Sequence, residues 1–146
     1  MDGYQQFRPV EAFRSQVDAY WINRPGAAGA EERVLPDGCI DLVYRGDAGR
    51  LFASALIEQP MPIEGATSAW FVGVRFRPAM ARAILDIDPA ACRDRTVPAR
   101  ASDRCFGALE EQLMDCASPD RAFLVLRRAV DARLAQREGA SAPRID

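Results

Sequence analysis

The sequence predicts an α+β fold, in which a small antiparallel β-barrel or sandwich over residues 1–78 is followed by a helical segment over residues 79–138. Three observations support this. The chain has 146 residues, a length that suits one domain. Its first half contains short apolar runs separated by turn residues, which is typical of barrels and sandwiches. Its second half places apolar residues at helical spacing. We expect residues 139–146 to form a linker.

The predicted strands are runs rich in β-branched and aromatic residues, ended by glycine, proline, asparagine or aspartate. Residues 46–49 read Gly-Asp-Ala-Gly, which predicts a hairpin turn between the second and third runs. The last run has the strongest strand character. The four runs cover residues 17–22, 39–45, 51–57 and 69–77.

The predicted helices follow capping residues. Ser-Pro-Asp at 118–120 supplies a capping hydroxyl, a proline for the first turn and an acidic residue, and the helix that it opens runs to about Gln136. Apolar residues at helical spacing predict two further helices, one over 80–85 and one after the Ser-Asp pair at 102–103. A short helix is expected over 88–93.

Composition excludes several classes of site. All 19 cationic side chains are arginine, and the chain contains neither histidine nor lysine. Ser-His-Asp and Cys-His catalysis, histidine-ligated metals, Schiff-base lysines and phosphate-loop lysines are therefore excluded. We expect no catalytic residue, no cofactor and no metal site. The net charge of −2 also argues against nucleic-acid binding by this chain.

The cysteines and the N-terminal residues indicate a cytoplasmic protein. The four cysteines are scattered and form no C-x-x-C pair, so we expect free thiols in a reducing compartment. Residues 1–14 lack the apolar run of a signal peptide. No stretch of the chain approaches the ~18 consecutive apolar residues of a membrane span, and we expect no membrane association. The cysteines are Cys39, Cys92, Cys105 and Cys116.

Two predicted strands carry charged residues at positions where a buried ion pair could form. Strand alternation places Asp41 among apolar neighbours in the run 39–45, and it places Arg75 and Arg77 on one face of the run 69–77 with Gly73. We expect Asp41 to be buried and to pair with one of the two arginines. Such a pair either fixes the strand register, or leaves the other arginine able to bind an anionic effector. Both interpretations stay open.

Aromatic residues and the last helix supply the remaining candidates. Tyr20, Trp21 and Trp70 belong either to the core or to the lining of a ligand site. The candidate ligand-binding residues are therefore Tyr20, Trp21, Asp41, Trp70, Arg75 and Arg77. The last helix has an apolar stripe that either covers the β part in a monomer or joins two copies in a dimer. The stripe consists of Phe123, Leu126, Val130 and Leu134.

Three segments resemble the motifs of a known family. Residues 35–42 read Leu-Pro-Asp-Gly-Cys-Ile-Asp-Leu, residues 72–78 read Val-Gly-Val-Arg-Phe-Arg-Pro, and Asp-Arg-Thr-Val-Pro follows at 94–98. Together they resemble the N-terminal sensor domain of a branch of AraC-type bacterial transcription regulators. The resemblance extends from about residue 20 to the last helix. One departure is Ala79, where those domains usually carry glycine.

The resemblance implies a cupin-like barrel that senses an effector and dimerises within a transcription regulator. It implies a homodimer and a small-molecule effector as partners. DNA binding is expected to belong to a helix-turn-helix domain outside this chain, and residues 143–146 favour an excised domain. Two other interpretations stay open. One is a small-molecule-binding or metal-free enzyme domain on the same barrel, and the other is a dimerisation module without a ligand.

Overall fold

The computed structural model describes residues 3–24, 39–54, 70–92, 96–99 and 104–141. These residues form one antiparallel sheet followed by helices, so the predicted α+β class is confirmed. The strands are β1 (Tyr4–Phe7), β2 (Val17–Asn23), β3 (Ile40–Arg45), β4 (Arg50–Ser54), β5 (Phe71–Phe76) and β6 (Val97–Pro98). The helices are α1 (Met80–Leu85), α2 (Arg104–Met114) and α3 (Pro119–Ser141), and 3-10 turns occupy Glu11–Phe13 and Pro89–Cys92.

The sheet is open. Its strand order is β1-β2-β5-β3-β4-β6, and each described pairing is antiparallel. β1 and β6 lie at opposite ends of the sheet, and the structure shows no pairing between these two strands. The expected barrel or sandwich is therefore corrected to an open sheet. The physical reason is that helices bury one of its faces, and this supplies the apolar cover that closure into a barrel would otherwise provide.

The main core lies between the helices and one face of the sheet. Alternation along β2, β3 and β5 directs large apolar side chains to this face, where Tyr20, Leu42, Val74 and Phe76 are fully buried. Helix α3 packs across β2 and β5, and α2 packs against α3 and β4. No helix in the described part of the chain is both long enough and apolar enough to cross a membrane.

The apolar stripe of α3 faces this core. Its four residues are buried within a single chain and belong to the same apolar cluster as the sheet. The stripe therefore covers the sheet, and its side chains are not available to join two copies. This corrects the alternative interpretation of the stripe as a dimer interface, while the homodimer itself stays a prediction. The residues are Phe123, Leu126, Val130 and Leu134.

Several boundaries differ from the sequence-based expectation. The pattern misses β1, because Tyr-Gln-Gln-Phe shows no run of apolar residues. It also misses the two-residue strand β6, which lies within the segment expected to be helical. Strand β4 is observed as far as Ser54, and residues 55–57 of the predicted run lie outside the described residues. Helix α3 continues through Gly139 to Ser141, into the segment expected to be a linker.

The short helix α1 is capped by side chains of α3. Nε of Arg133 donates a hydrogen bond to the carbonyl oxygen of Ile84 at 2.9 Å, and Nη1 of Arg137 donates to that of Ala83 at 2.5 Å. These carbonyls belong to the last turn of α1, where no partner is available within the helix. Two arginines one helical turn apart on α3 therefore complete the hydrogen bonding at the end of α1.

Ala79 connects β5 to α1 in a left-handed backbone conformation, with φ of 71° and ψ of −9°. This conformation brings the Cβ of an L-residue close to the following carbonyl oxygen and costs roughly 1–2 kcal/mol. Glycine has no Cβ and adopts it without that cost. The chain therefore carries alanine at a position whose backbone conformation favours glycine, which is the residue that the resembling domains usually have there.

We predict that Ala79→Gly raises the free energy of unfolding by about 1 kcal/mol, since relief of the left-handed strain outweighs the greater freedom of glycine in the unfolded chain. Chemical denaturation measures the change. The matched control is Ala83→Gly, at an exposed position inside α1, which we expect to lower stability by about 1 kcal/mol. A loss of stability in Ala79→Gly similar to that of the control would contradict the prediction.

Candidate functional site

The two strands with charged residues are neighbours in the sheet. β3 pairs with β5 in a register that places Asp41 opposite Arg75. Both side chains lie on the second face of the sheet, away from the main core, because they alternate with residues of that core. Asp41 is 0% exposed, and its Oδ1 lies 3.4 Å from Nε of Arg75. The buried pair expected from the sequence is therefore confirmed.

Trp21 of β2 reaches this pair across Gly73 of β5. The two residues are paired in the register of β2 and β5, and the indole lies directly over the glycine. A Cβ added to Gly73 would lie 2.3 Å from Cζ2 of the indole, so this close approach requires glycine. Nε1 of Trp21 donates a hydrogen bond to Oδ2 of Asp41 at 3.0 Å. The indole ring thus fills the space that the missing side chain of Gly73 leaves on the face of the two arginines.

Strand β1 adds polar groups to the same face. The hydroxyl of Tyr4 donates to Oε1 of Gln6 at 2.6 Å, and the same oxygen accepts a longer hydrogen bond, of 3.4 Å, from Nη1 of Arg75. The ring of Tyr4 lies 6.0 Å from that of Trp21. A second, smaller apolar cluster therefore borders the polar residues. Apart from Trp21 and Tyr4 it contains Val43, Phe52 and Phe71.

Asp18 joins the cluster through a β-bulge. The register of β2 against β5 shifts between Val17 and Ala19. Oδ2 of Asp18 lies 3.5 Å from Nη1 of Arg75, and its Oδ1 lies 3.8 Å from Nη1 of Arg77. Sequence reasoning missed Asp18. The available signal was a carboxylate that strict alternation would place on the core side of an apolar strand, which is a reason to suspect a bulge.

Charges in the cluster balance. Two carboxylates, Asp18 and Asp41, face two guanidinium groups, Arg75 and Arg77. Arg77 has a side chain that is 45% exposed, and its Nε donates a hydrogen bond to the backbone oxygen of Arg14. The second arginine, Arg77, thus lies beside one of the chain's own acidic groups, Asp18.

Arg75 is the central residue of the cluster. Burial opposes its charge, but the carboxylate of Asp41 together with Tyr4 and Asp18 outweighs that effect and raises the pKa of Arg75 above its ordinary value. Its buried Nη2 has no hydrogen-bond partner among the described residues. The group remains able to donate to a carbonyl, hydroxyl or carboxylate oxygen. In the described part of the chain, no group of three or more cysteine, aspartate or glutamate residues could hold a metal ion.

Two of the candidate aromatic residues lie away from this cluster. Tyr20 points to the opposite face, where its hydroxyl donates to Asp131 of α3 and the guanidinium of Arg127 lies 4.6 Å from its ring. Burial, followed by the hydrogen bond to Asp131, raises the pKa of Tyr20 far above its ordinary value. Trp70 packs against Tyr44, with ring centroids 5.8 Å apart. The structure thus brings together Trp21, Asp41, Arg75 and Arg77 and separates Tyr20 and Trp70 from them.

A family model described as a domain of unknown function (DUF6597) matches residues 5–98. The chain belongs to this family. The matched residues begin at Gln5 of β1 and end with β6, so the match includes the four charged residues of the polar cluster, whereas Tyr4 precedes it and α2 and α3 follow it. No curated protein and no solved structure matches the chain. Residues 35–38 of the first sequence motif and 94–95 of the last lie outside the described residues.

We predict that Asp41→Ala lowers the free energy of unfolding by about 3–5 kcal/mol, because the charge of Arg75 is left buried without its carboxylate. Urea denaturation measures the loss. Asp47→Ala serves as the control, since Asp47 pairs with Arg45 near the surface and its removal should cost less than about 1 kcal/mol. Equal losses in the two variants would show that the pair of Asp41 and Arg75 behaves as a surface pair.

We also predict that Tyr20 makes the protein sensitive to alkali. Its raised pKa means that the folded protein keeps a proton which the unfolded chain releases above about pH 10. This contribution to stability is complete below that pH and is lost as the pH rises further, at up to about 1.4 kcal/mol per pH unit. The stability advantage of wild type over Tyr20→Phe should therefore shrink above pH 10. Parallel stability curves from urea denaturation at pH 8 to 11 would contradict this.

Proposed function

We propose that this DUF6597 domain is the effector-sensing and dimerisation domain of an AraC-type transcription regulator. The sequence motifs that resemble those sensor domains support the proposal. So does the position of their strands, because β3 and β5 lie side by side and each contributes one member of the buried pair of Asp41 and Arg75. We further propose that the domain acts in the cytoplasm as a homodimer and does not bind DNA by itself.

The observation that carries the proposal is the state of Arg75. A guanidinium buried in a sheet normally has its N–H groups hydrogen-bonded, since an unsatisfied buried donor costs free energy. Here Nε faces Asp41 at 3.4 Å without a well-formed hydrogen bond, and Nη2 has no partner among the described residues. An effector that brings an oxygen to this group would gain a charge-assisted hydrogen bond.

The charges of the cluster indicate the class of effector. Asp18 and Asp41 already compensate Arg75 and Arg77, so binding a net negative charge there would leave one charge uncompensated. A neutral or zwitterionic molecule with a carbonyl or hydroxyl oxygen suits the cluster better. The bordering aromatic residues, Trp21 and Tyr4, favour a molecule that also has an apolar part.

We predict that a set of small neutral and zwitterionic metabolites contains a compound that raises the melting temperature of the domain. At a concentration of 100 times its dissociation constant, such a compound stabilises the folded state by about 2.7 kcal/mol. Arg75→Lys keeps the charge but loses the planar fork, so we expect it to abolish the shift. Arg77→Lys is the matched control at the half-exposed arginine, and it should keep the shift.

Several results of these measurements would contradict parts of the proposal. A shift that survives in Arg75→Lys would place the effector elsewhere. A stronger shift with mono- or dicarboxylates would favour an anionic effector, and chemical turnover of the compound would favour the enzyme interpretation. The role in a regulator is tested by fusing the chain to a helix-turn-helix domain that requires dimerisation. Reporter expression that does not respond to the compound would argue against sensing.

A further inference from the structure

The second face of the sheet carries a buried amide that the polar cluster does not use. Asn23, the last residue of β2, is 8% exposed, and its Oδ1 is shielded from water without a hydrogen-bond partner among the described residues. Such atoms are rare in native proteins, because a buried polar group that lacks a hydrogen bond costs free energy. The amide oxygen of Asn23 is therefore available to a hydrogen-bond donor.

Asn23 lies at the far end of the aromatic surface that borders Arg75. Alternation along β2 places it on the same face as Trp21, and the register places it opposite Tyr4 of β1 and Phe71 of β5. Trp21 and Phe71 belong to the second apolar cluster, and Tyr4 packs against that cluster. Asn23 is thus a polar residue bordered by aromatic rings.

The two unpartnered groups are complementary in kind. Nη2 of Arg75 can only donate, whereas Oδ1 of Asn23 can only accept. Phe71, opposite Asn23, is four residues from Arg75 along β5, which is about 13 Å at roughly 3.3 Å per residue. Between these positions the indole of Trp21 lies over Gly73. One face of the sheet therefore presents a donor, an apolar stretch and an acceptor, in that order.

We propose that Asn23 is a second recognition residue of the effector site and that its Oδ1 accepts a hydrogen bond from the effector. The effector then has an oxygen for Arg75 at one end, an O–H or N–H for Asn23 at the other, and an apolar part between them. Each hydrogen bond satisfies a protein atom that is already shielded from water. This inference rests on the proposed function in taking Arg75 as the first contact.

The charges near Asn23 favour a neutral donor. Phe71 lies between Asn23 and Arg45 in the sheet, and the guanidinium carbon of Arg45 is 5.7 Å from the centre of the Phe71 ring. Nε of Arg45 pairs with Oδ1 of Asp47 at 2.6 Å, so this cation is already compensated. An ammonium group at Asn23 would add a positive charge beside a balanced pair. A hydroxyl or an amide N–H adds none.

Isothermal titration calorimetry of the full chain with methyl esters of linear ω-hydroxy acids tests the inference. Each ester has a carbonyl that can only accept at one end and a hydroxyl at the other. Over a series of increasing chain length, we expect the affinity to be highest at the length that spans both residues. At that length, replacing the hydroxyl by a methoxy group should weaken binding about tenfold, since the ether cannot donate to Asn23.

Variants at Asn23 show whether this residue is the one that reads the hydroxyl. Asn23→Leu removes the acceptor with little change of volume, so the hydroxy and methoxy esters should bind it equally well. Asn23→Ala makes the same comparison if the leucine variant does not fold, which circular dichroism checks. Gln136→Leu, a similar change at an exposed amide of α3, should keep the tenfold difference. Arg75→Lys should weaken both esters.

The proposed function and the role of Asn23 fail in different ways. Binding that requires Arg75 but is indifferent to Asn23 and to the hydroxyl would retain the effector site and overturn the second contact. A tenfold difference that persists in Asn23→Leu, or the absence of binding by every ester, would also overturn it. A difference that depends on Asn23, in a domain whose reporter fusion does not respond, would retain the contact and lose the sensing role.

Discussion

The ion pair between Asp41 and Arg75 ties the two central strands of the sheet to one register. A shift of β3 by one residue would move Asp41 to the face that packs on the helices, away from Arg75. It would also move Leu42 out of the main core. The pair therefore need not add net stability to the native register. It favours that register because, in the shifted one, the buried charges lose their partners, which raises the free energy of that alternative.

Other contacts of the second face depend on that register. The indole of Trp21 reaches Asp41 only because Gly73 lies beneath it, and Gly73 is opposite Val43 in the same ladder that pairs Asp41 with Arg75. The bulge at Asp18 then directs a second carboxylate to Arg75. Four strands thus contribute to one polar cluster on a face bordered by aromatic side chains. The cluster is a consequence of pairing, and no single segment contains it.

Sequence patterns predicted the parts that local periodicity determines. The strands around Asp41 and Arg75, the start of α3 and the burial of the pair follow from alternation and capping residues. Local periodicity could not predict that the sheet is open, because the strand order depends on contacts between segments that are distant in the sequence. Asp18 was missed since a bulge breaks the alternation on which the prediction depends. Tyr20 and Trp70 were assigned to the ligand site without regard to the face of the sheet on which they lie. Each is next in sequence to a residue of the second face, Trp21 or Phe71, so alternation places both on the face of the main core.

The arginine caps on α1 have a consequence for how the molecule opens. A helix of six residues is far below the length at which helices persist in water, so α1 exists only while its neighbours hold it. Arg133 and Arg137 of α3 supply the bonds at its end. Release of the second half of α3 would therefore melt α1 with it, and would free the turn at Ala79 that follows the strand of Arg75. We therefore expect the amide hydrogens of α1 to lose their protection from exchange in the same local opening that releases the second half of α3.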